Sequence, residues 1–296
     1  MALILVTGGT GFVGRRLVKA LIAQGHELCC LVRPTSQTSA LAHLGVRFYR
    51  GDVTDPDSVE RAVAGAEAVI HLAAIIRERG KATFHRTNYE GTRNVVGAAV
   101  RTGAKRLLFM SNLGAAPDPA FPFLHSKWQA EEAIKASGLD YTIFRSSVLF
   151  GEGDGFVSPL AGLIKRLPLV PVIGSGQTRF QLLSVDEVVT CLIMALGDDK
   201  TIGQVMELGG PEHLTYEEIV DLIMGVLGRR RPKVHIPVTL MQPLAWLMDK
   251  LLPRPLVTPG QLAMLRRDNI TDLDVVERAF GFKPISLRQG LDYIVR

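Results

Sequence analysis

The sequence predicts an α/β protein with a doubly wound parallel sheet and a smaller, mainly helical C-terminal domain. Three observations lead to this fold class. Short β-branched apolar runs alternate with helical patterns through residues 1–150, a glycine-rich turn joins the first run to the first helix, and the alternation loosens after residue 150. Apolar runs of this kind are typical of parallel strands covered by helices on both faces. The predicted architecture is therefore a Rossmann-type sheet with an appended domain.

Six strand candidates recur along the first half. They cover residues 3–7, 28–32, 46–50, 68–72, 106–110 and 141–145. The helical patterns between them end just before a glycine, where a left-handed residue commonly closes a helix. These glycines are Gly25, Gly65, Gly103 and Gly138.

The alternation of strands and helices along the chain also predicts two domains. Residues 1–150 and 176–209 are expected to form the sheet domain, because apolar stretches at 179–189 and 205–210 return to it. Residues 151–175 and 210–296 are expected to form the smaller domain, which would cover the cleft at the carboxyl ends of the strands. Three later segments begin with predicted capping boxes, Ser184 with Glu187, Thr215 with Glu218, and Ser286 with Gln289.

Composition limits the function classes. The chain has 296 residues, is 47% hydrophobic and has a net charge of +5, carried by short basic clusters such as residues 228–233. Such clusters are typical of a solvated face, so no nucleic-acid partner is expected. Cys29, Cys30 and Cys191 have no metal-ligand spacing and predict buried thiols in a reducing cytoplasm, without a metal site. No apolar run is long enough to span a membrane, and surface contact with one stays open.

The stretch "VTGGTGFVGRRL" predicts a dinucleotide site. Gly8, Gly9 and Gly11 follow the first strand directly and let the backbone approach a pyrophosphate. The helix that follows offers free N–H groups and the positive end of its dipole to that anion. Gly14 permits close packing of the helix on the strand.

The end of the second strand indicates which nicotinamide dinucleotide binds. An acidic side chain there would accept hydrogen bonds from the adenosine ribose of NAD, but this chain has Arg33 in "LVRPTSQ". A guanidinium favours the 2′-phosphate of NADP through charge-assisted hydrogen bonds. NADP is therefore the predicted cofactor. NAD stays an alternative, because Arg33 as a solvated strand end or stacked on adenine would not discriminate.

Six motifs carry a resemblance to a known family. They are "TGGTGFVG" at Thr7 to Gly14, "GDVTD" at 51–55, "HLAA" at 71–74, "NYEGTRNVV" at 88–96, "MSNLGA" at 110–115 and "SKWQAEEAI" at 126–134. Together they resemble the extended short-chain dehydrogenase/reductases of the NAD-dependent epimerase/dehydratase superfamily. The later stretches "ELGGPEHLTYEEIV", "RRDNITD" and "FGFKPISLRQGL" most resemble the atypical group around the NAD(P)H-binding accessory subunit of respiratory complex I and its bacterial relatives.

The resemblance implies roles for individual residues. Asp52 and Val53 would contact the adenine, Lys127 would hold the nicotinamide ribose, and Ser111 would bond a substrate oxygen or simply cap the end of its strand. The implied cofactor contacts are Gly8, Thr10, Gly11, Phe12, Val13, Asp52, Val53, Leu72, Ala73, Ala74, Lys127 and Val148.

The sequence departs from the family at the catalytic position. A tyrosine four residues before the lysine transfers the proton in the family, and here that residue is Phe123, which has no hydroxyl. His125 lies about 160° around the helix from Lys127 and is expected to face away. Ser126 is closer but is a poor acid without assistance. Pro122 leaves open whether the helix begins early enough for this geometry to apply.

Three functions follow as hypotheses. The first is an NADP-linked oxidoreductase whose hydride-transfer chemistry is altered or weakened by Phe123. The second is a non-catalytic NADP(H)-binding module with a structural, assembly or regulatory role.

A second departure from the family's pattern is Ser146, where the family shows proline, and it affects the nicotinamide side of the site. No substrate class can be read from the residues, and neither can an oligomeric state.

The third hypothesis is a peripheral membrane or partner-docking protein. The stretch "TLMQPLAWLMDKLLPRP" at 239–255 places leucines at helical spacing, with an adjacent tryptophan and flanking cations. The favoured interpretation is that this helix covers the core of the smaller domain. The residues concerned are Leu240, Leu244, Leu247 and Leu251, with Trp246, Lys250 and Arg254.

Overall fold

The computed structural model describes residues 3–252 and 257–295, so Arg254 lies outside the described residues. The strands are β1 (Leu3–Thr7), β2 (Glu27–Val32), β3 (Arg47–Arg50), β4 (Ala68–His71), β5 (Arg106–Asn112), β6 (Asp140–Ser146), β7 (Leu149–Phe150), β8 (Val170–Ile173), β9 (Arg179–Phe180), β10 (Leu183–Ser184), β11 (Gln204–Leu208), β12 (Leu214–Thr215) and β13 (Lys233–Ile236). The α-helices are α1 (Phe12–Ala23), α2 (Ser39–Ala42), α3 (Pro56–Val63), α4 (Gly91–Thr102), α5 (Pro122–Lys135), α6 (Val157–Arg166), α7 (Val185–Leu196), α8 (Tyr216–Val226), α9 (Val238–Leu251), α10 (Pro259–Met264) and α11 (Val275–Phe280).

Among the residues that the structure describes, the main sheet has seven strands in the order β11-β6-β5-β4-β1-β2-β3. The strands from β1 to β5 run parallel, and Ile4 is paired with Leu28 on one side and with Ala68 on the other. The chain therefore winds in one direction from β1 to β3 and in the other from β4 onward. The switch lies between β1 and β4, where open α/β sheets form their ligand crevice. The predicted Rossmann-type fold is confirmed.

The predicted elements of the first half match the structure closely. Each of the six strand candidates overlaps an observed strand and differs from it by two residues or fewer at either end. All four predicted stop glycines have positive φ angles, between 76° and 83°. The three cysteines are buried free thiols, as predicted, and burial raises the pKa of Cys30 to about 12.

The chain divides into two compact units. The first contains residues 1–145 and 186–206, and the second contains residues 146–185 and 207–296. The core of the first unit is built from strand and helix residues such as Leu5, Val69 and Phe109. The core of the second is built around α6 and α8, with Ile164 and Ile223 among its fully buried members.

The unit boundaries differ from the predicted domain boundaries. Residues 146–150, 176–185 and 207–209 were predicted in the sheet domain and lie in the second unit. Two-residue strands explain the difference, because β7 pairs with β10 and β9 pairs with β12 inside that unit. Strands this short leave no periodic pattern in a sequence.

The helix starts show which sequence signals were read correctly. The capping box of Thr215 with Glu218 begins α8, as predicted. The reciprocal bonds between Ser286 and Gln289 precede a single 3-10 turn rather than an α-helix. A further capping box begins α10 at Thr258 and was not predicted, because the helix that it begins has only six residues and so has little periodic pattern.

Helix α9 packs on a core cluster of the second unit, in line with the favoured interpretation, but it does so through residues other than its leucines. Leu240, Leu244, Leu247 and Leu251, here called the leucine stripe, are 65%, 47%, 45% and 70% exposed. The face of α9 that covers the core instead carries Met241 and Ala245. Within residues 3–252 and 257–295, no helix has the length and apolar character needed to cross a membrane.

Candidate cofactor site

A glycine turn joins β1 to α1. Gly8 has a φ of +72°, and a Cβ atom there would lie 2.8 Å from the backbone nitrogen of Ala73. A Cβ atom at Gly14 would lie 2.2 Å from the carbonyl oxygen of Gly8. Gly11 is the N-cap residue of α1 and has no side chain that could accept a capping hydrogen bond. The turn therefore excludes side chains and presents the N-terminus of a 12-residue helix to the space beside it.

A cleft of about 200 Å³ opens next to this turn. Nine of the predicted cofactor residues line it, namely Gly8, Thr10, Gly11, Arg33, Asp52, Val53, Leu72, Ala73 and Ala74. Sequence reasoning missed other lining residues, among them Ser36, Gly51, Ile75, Ala82 and Thr87. Ser36, Gly51, Ile75 and Ala82 come from the loops that follow β2, β3 and β4, so the parallel sheet brings them together at one edge. Thr87 comes from the π-helical segment His85–Glu90.

Asp52 is held in place by its own loop, and Val53 is held by α4. Asp52 accepts hydrogen bonds at Oδ1 from the backbone N–H and the hydroxyl of Thr54, both at 2.9 Å. The side chain of Asn94 donates to the carbonyl oxygen of Val53 at 2.9 Å. A Cβ atom at Gly91 would approach Val53 to 2.7 Å, so α4 packs directly against this side of the cleft.

Arg33 stands at the end of β2, is exposed and lines the cleft together with Ser36. A second guanidinium, that of Arg50, donates to the carbonyl oxygens of Arg33 and Ser36 at 3.3 Å and to Thr38 Oγ1 at 3.4 Å. Arg50 thus fixes the loop that carries Arg33. This end of the cleft is cationic, which suits an anionic group.

A buried polar chain lies beneath the cleft. Thr92 Oγ1 donates to the carbonyl oxygen of Asn88 at 2.6 Å, so it accepts from His71 Nε2 at 3.0 Å. His71 Nδ1 then accepts from the hydroxyl of Thr7 at 2.6 Å, and Thr7 Oγ1 accepts from the N–H of Ala73 at 3.3 Å. Burial, with the nearby charge of Lys127, lowers the pKa of His71 to about 3. His71 is therefore a neutral positioning residue.

Asn88 connects the cleft wall to the first turn of α5. Its side chain accepts from the N–H of Ile75 at 2.8 Å and donates to Ser126 Oγ at 3.1 Å. Ser126 in turn donates to the carbonyl oxygen of Phe123 at 2.7 Å. Asn88 lies in a π-helical segment, His85–Glu90, that runs directly into α4. The motif "NYEGT" marked this segment, but its spacing gave no indication of the contact with α5.

Lys127 is almost completely buried, with 2% of its surface exposed. Its Nζ donates to the carbonyl oxygen of Met110 at 2.5 Å and lies 4.2 Å from the centre of the Phe109 ring. Burial lowers the pKa of Lys127 from 10.5 to about 7, and the Glu131 carboxylate opposes this shift. Lys127 therefore exchanges its proton near neutral pH, unlike an exposed lysine, and it does not line the cleft.

Ser111 belongs to a buried ionic cluster. Its hydroxyl donates to Glu131 Oε1 at 2.5 Å, and both residues are fully buried. Arg145 donates to Glu131 Oε2 through Nη2 at 2.6 Å and through Nε at 3.2 Å. The Ser111 hydroxyl therefore already donates its hydrogen bond to a partner inside the protein. A substrate contact of Ser111 stays a prediction, and Glu131 and Arg145 were not foreseen.

Comparison with known proteins identifies the family. The model of the NAD dependent epimerase/dehydratase family matches residues 4–209. This chain belongs to that family. It is 29% identical over 294 residues to the mitochondrial NADH dehydrogenase (ubiquinone) 1 alpha subcomplex subunit 9 of Arabidopsis thaliana, which covers 95% of this chain and 73% of the relative. It is 32% identical over 236 residues to ceramide reductase of Caulobacter vibrioides, with coverage of 79% and 73%.

A solved structure of an epimerase shares the fold of this chain. The UDP-glucose 4-epimerase of Thermus thermophilus, in complex with NAD, superimposes with a TM-score of 0.77 at 23% identity. The match covers 99% of this chain and 97% of the epimerase chain. At this level of identity the likeness shows the fold alone.

Phe123, predicted to stand where the family has its tyrosine, lies within α5. Pro122 is the first residue of α5, so Phe123 and Lys127 are one turn apart on the same face. The Phe123 ring packs edge-on against Phe84 at a centroid distance of 5.7 Å. His125 stacks on Trp128 at 5.7 Å. The proline therefore begins the helix rather than delaying it.

Three of the remaining predicted residues lie outside the cleft lining. Phe12 and Val13 are half-buried on the first turn of α1, where the Phe12 ring contacts the guanidinium of Arg16. Val148 is in the second unit and its N–H donates to Asn269 Oδ1 at 2.9 Å. Cofactor contacts of these three stay predictions.

Proposed function

We propose that this protein binds a nicotinamide dinucleotide in the cleft beside the glycine turn and prefers NADP(H) to NAD(H). The observation that carries the proposal is the fit of the glycine turn. Side chains are excluded at Gly8 and Gly14, and the N-terminus of α1 is free to accept an anion such as a pyrophosphate.

The preference for NADP rests on the end of β2. Arg33 is exposed at the cationic end of the cleft. The loop from residue 33 to 38 contains no acidic side chain that would accept hydrogen bonds from the adenosine ribose hydroxyls. In this assignment Arg33 and Ser36 face the 2′-phosphate and Asp52 and Val53 face the adenine. A bound nicotinamide supplies hydride chemistry, and the protein contributes position and electrostatics.

The reaction proposed for this site is a hydride transfer that is weakened by the lack of a proton donor. Phe123 has no ionisable group, and its ring is fixed against Phe84. Ser111 donates a hydrogen bond to the Glu131 carboxylate, and Lys127 donates one to the carbonyl oxygen of Met110. No substrate class follows from these residues.

A non-catalytic role is the second candidate. It is favoured by the same replacement, because an aromatic contact occupies the position where the family has its acid. The similarity to a subunit of a respiratory NADH dehydrogenase agrees with this role. A cytoplasmic location stays a prediction from the cysteine content, and this relative is mitochondrial.

Calorimetric titration of NADPH and of NADH into nucleotide-free protein tests the proposal. We expect tighter binding of NADPH, and we expect Arg33→Ala to weaken NADPH binding about tenfold while leaving NADH unchanged, because only NADPH has the 2′-phosphate. Arg47→Ala is the matched control, since Arg47 is an exposed arginine of β3 that pairs with Glu27 and does not line the cleft. Equal affinity for both dinucleotides would contradict the preference, and binding of neither would contradict the site.

A further inference from the structure

Helix α9 has a second apolar face that the core does not cover. The helix has 14 residues, and its core face is formed by Met241 and Ala245, which pack with Val257 and Leu262. The leucine stripe lies elsewhere on the same helix and is 45–70% exposed along its whole length. Leucine is usually buried, so four exposed leucines in register indicate an interaction surface.

Helical geometry defines three faces on α9. At about 100° per residue, the four leucines fall within about 60° of one another, and Met241 and Ala245 lie about 110° to one side. Trp246 and Lys250 lie about 110° to the other side, and Lys250 Nζ is 3.9 Å from the centre of the Trp246 ring. A tryptophan and a lysine thus border the apolar stripe on its solvent side. This is the arrangement of residues at a membrane–water boundary.

The stretch of sequence that contains α9 has an excess of cations. Residues 228–267 contain eight lysines and arginines and one aspartate, a net charge of +7, whereas the rest of the chain has a net charge of −2. Arg229, Arg230 and Arg266 are exposed, while Lys233 is paired with Glu217 and Asp221. The surface that matches this segment is both apolar and anionic.

The exposed area argues against a second copy of the chain as the occupant. The leucine stripe and Trp246 together expose the equivalent of less than three whole residues. At roughly 200 Å² for a large side chain this is on the order of 600 Å², below the roughly 800 Å² per partner of a stable interface. The spacing of the stripe suits a partner helix, but the available area is small for one.

We propose that α9 lies in the plane of an anionic phospholipid bilayer, with the leucine stripe in the acyl boundary and Lys250 at the headgroups. A helix of 14 residues is about 21 Å long, a length that suits an in-plane position. The basic residues of the same segment add electrostatic attraction to anionic headgroups. This proposal is independent of the dinucleotide site.

Co-sedimentation with vesicles of phosphatidylcholine and phosphatidylglycerol at 7:3, and with phosphatidylcholine alone, tests the proposal. We expect binding to the anionic vesicles, binding at least tenfold weaker to the neutral ones, and a several-fold loss in 1 M NaCl. The double variant Leu244→Ser/Leu247→Ser is expected to lose at least about tenfold in partition. The matched control is Val100→Ser/Met194→Ser, which replaces two apolar residues of similar exposure in the first unit and is expected to bind as the unchanged protein does.

Three results would overturn the proposal. The first is no sedimentation with either kind of vesicle, and the second is an equal loss of vesicle partition in the two double variants. The third is that the protein does not bind vesicles but forms a dimer in sedimentation velocity, and that Leu244→Ser/Leu247→Ser dissociates this dimer. The last result would assign the leucine stripe to a second copy. Thermal unfolding followed by circular dichroism serves as the folding check for each variant, because it reports on both units and does not depend on nucleotide binding.

Discussion

The glycine turn and the Lys127 end of α5 are two parts of one unit that are built in different ways. The turn is defined by backbone, since Gly8 and Gly14 have no room for a side chain. The Lys127 end is defined by buried polar side chains. Lys127 donates a hydrogen bond to the carbonyl oxygen of Met110, and the Glu131 carboxylate accepts from Ser111 and Arg145. Substitutions at the turn should therefore act through steric exclusion, and substitutions at the Lys127 end through charge and hydrogen bonding.

The largest effect is expected at the turn. Gly8→Ala places a Cβ atom 2.8 Å from the Ala73 nitrogen, at a φ of +72°. We expect a loss of about 2–4 kcal/mol in the free energy of unfolding and at least a tenfold loss in NADPH affinity. Gly45→Ala is the control, because its φ is +73° and its Cβ has nothing within 4 Å, so it should lose only about 1 kcal/mol. Urea unfolding measures both, and equal losses would refute steric exclusion as the role of Gly8.

A slightly smaller effect is expected from the ionic cluster. Glu131→Gln removes the charge that pairs with Arg145 while keeping an acceptor for Ser111, and we expect a loss of about 2–3 kcal/mol. Its neighbour Glu132 pairs with Lys135 on the surface, so Glu132→Gln should change stability by less than about 0.5 kcal/mol. If thermal unfolding shows the two variants to be alike, the cluster does not stabilise the unit.

The buried lysine should give the protein a pH-dependent stability. Its pKa is about 7 in the folded protein and 10.5 when unfolded, so between these values the unfolded chain binds more protons. The free energy of unfolding should therefore rise with pH from about 7 to about 10, by at most about 1.4 kcal/mol per unit from this group. Below pH 7 both states are protonated and the contribution is constant. Lys127→Met should flatten the rise, as urea unfolding at pH 7, 8 and 9 would show; parallel curves for the two proteins would contradict the shift.

The smallest effect on stability, and the most direct test of chemistry, is Phe123→Tyr. The new hydroxyl would lie one turn from Lys127, and we expect stability to change by less than about 1 kcal/mol. NADPH-dependent reduction of carbonyl compounds should appear or rise. Phe84→Tyr changes the partner ring in the same way and should give no activity. A broad substrate panel without any gain, at unchanged NADPH affinity, would favour the non-catalytic role.

The two parts of the unit also differ in how well they could be foreseen. The glycine turn and Arg33 after β2 were predictable, because glycine spacing and strand ends are local features of a chain. The cleft residues after β3 and β4, such as Asp52 and Ala73, were implied by the resemblance to the family. Nine residues predicted in these two ways line the cleft. The bonds from Asn88 to Ser126 and from Arg145 to Glu131 join residues 38 and 14 positions apart, and no local pattern indicates them.

The sequence by itself determined the parallel sheet, the positions of the stop glycines and the cofactor turn, because each depends on the conformational limits of a few adjacent residues. It also placed Phe123, a residue without a hydroxyl, four positions before Lys127. Only the tertiary structure decided which face of α9 is covered, because helical spacing marks both Met241 and the leucine stripe as apolar and cannot say which meets the core. The same holds for Lys127, whose depressed pKa results from burial by residues distant in the chain.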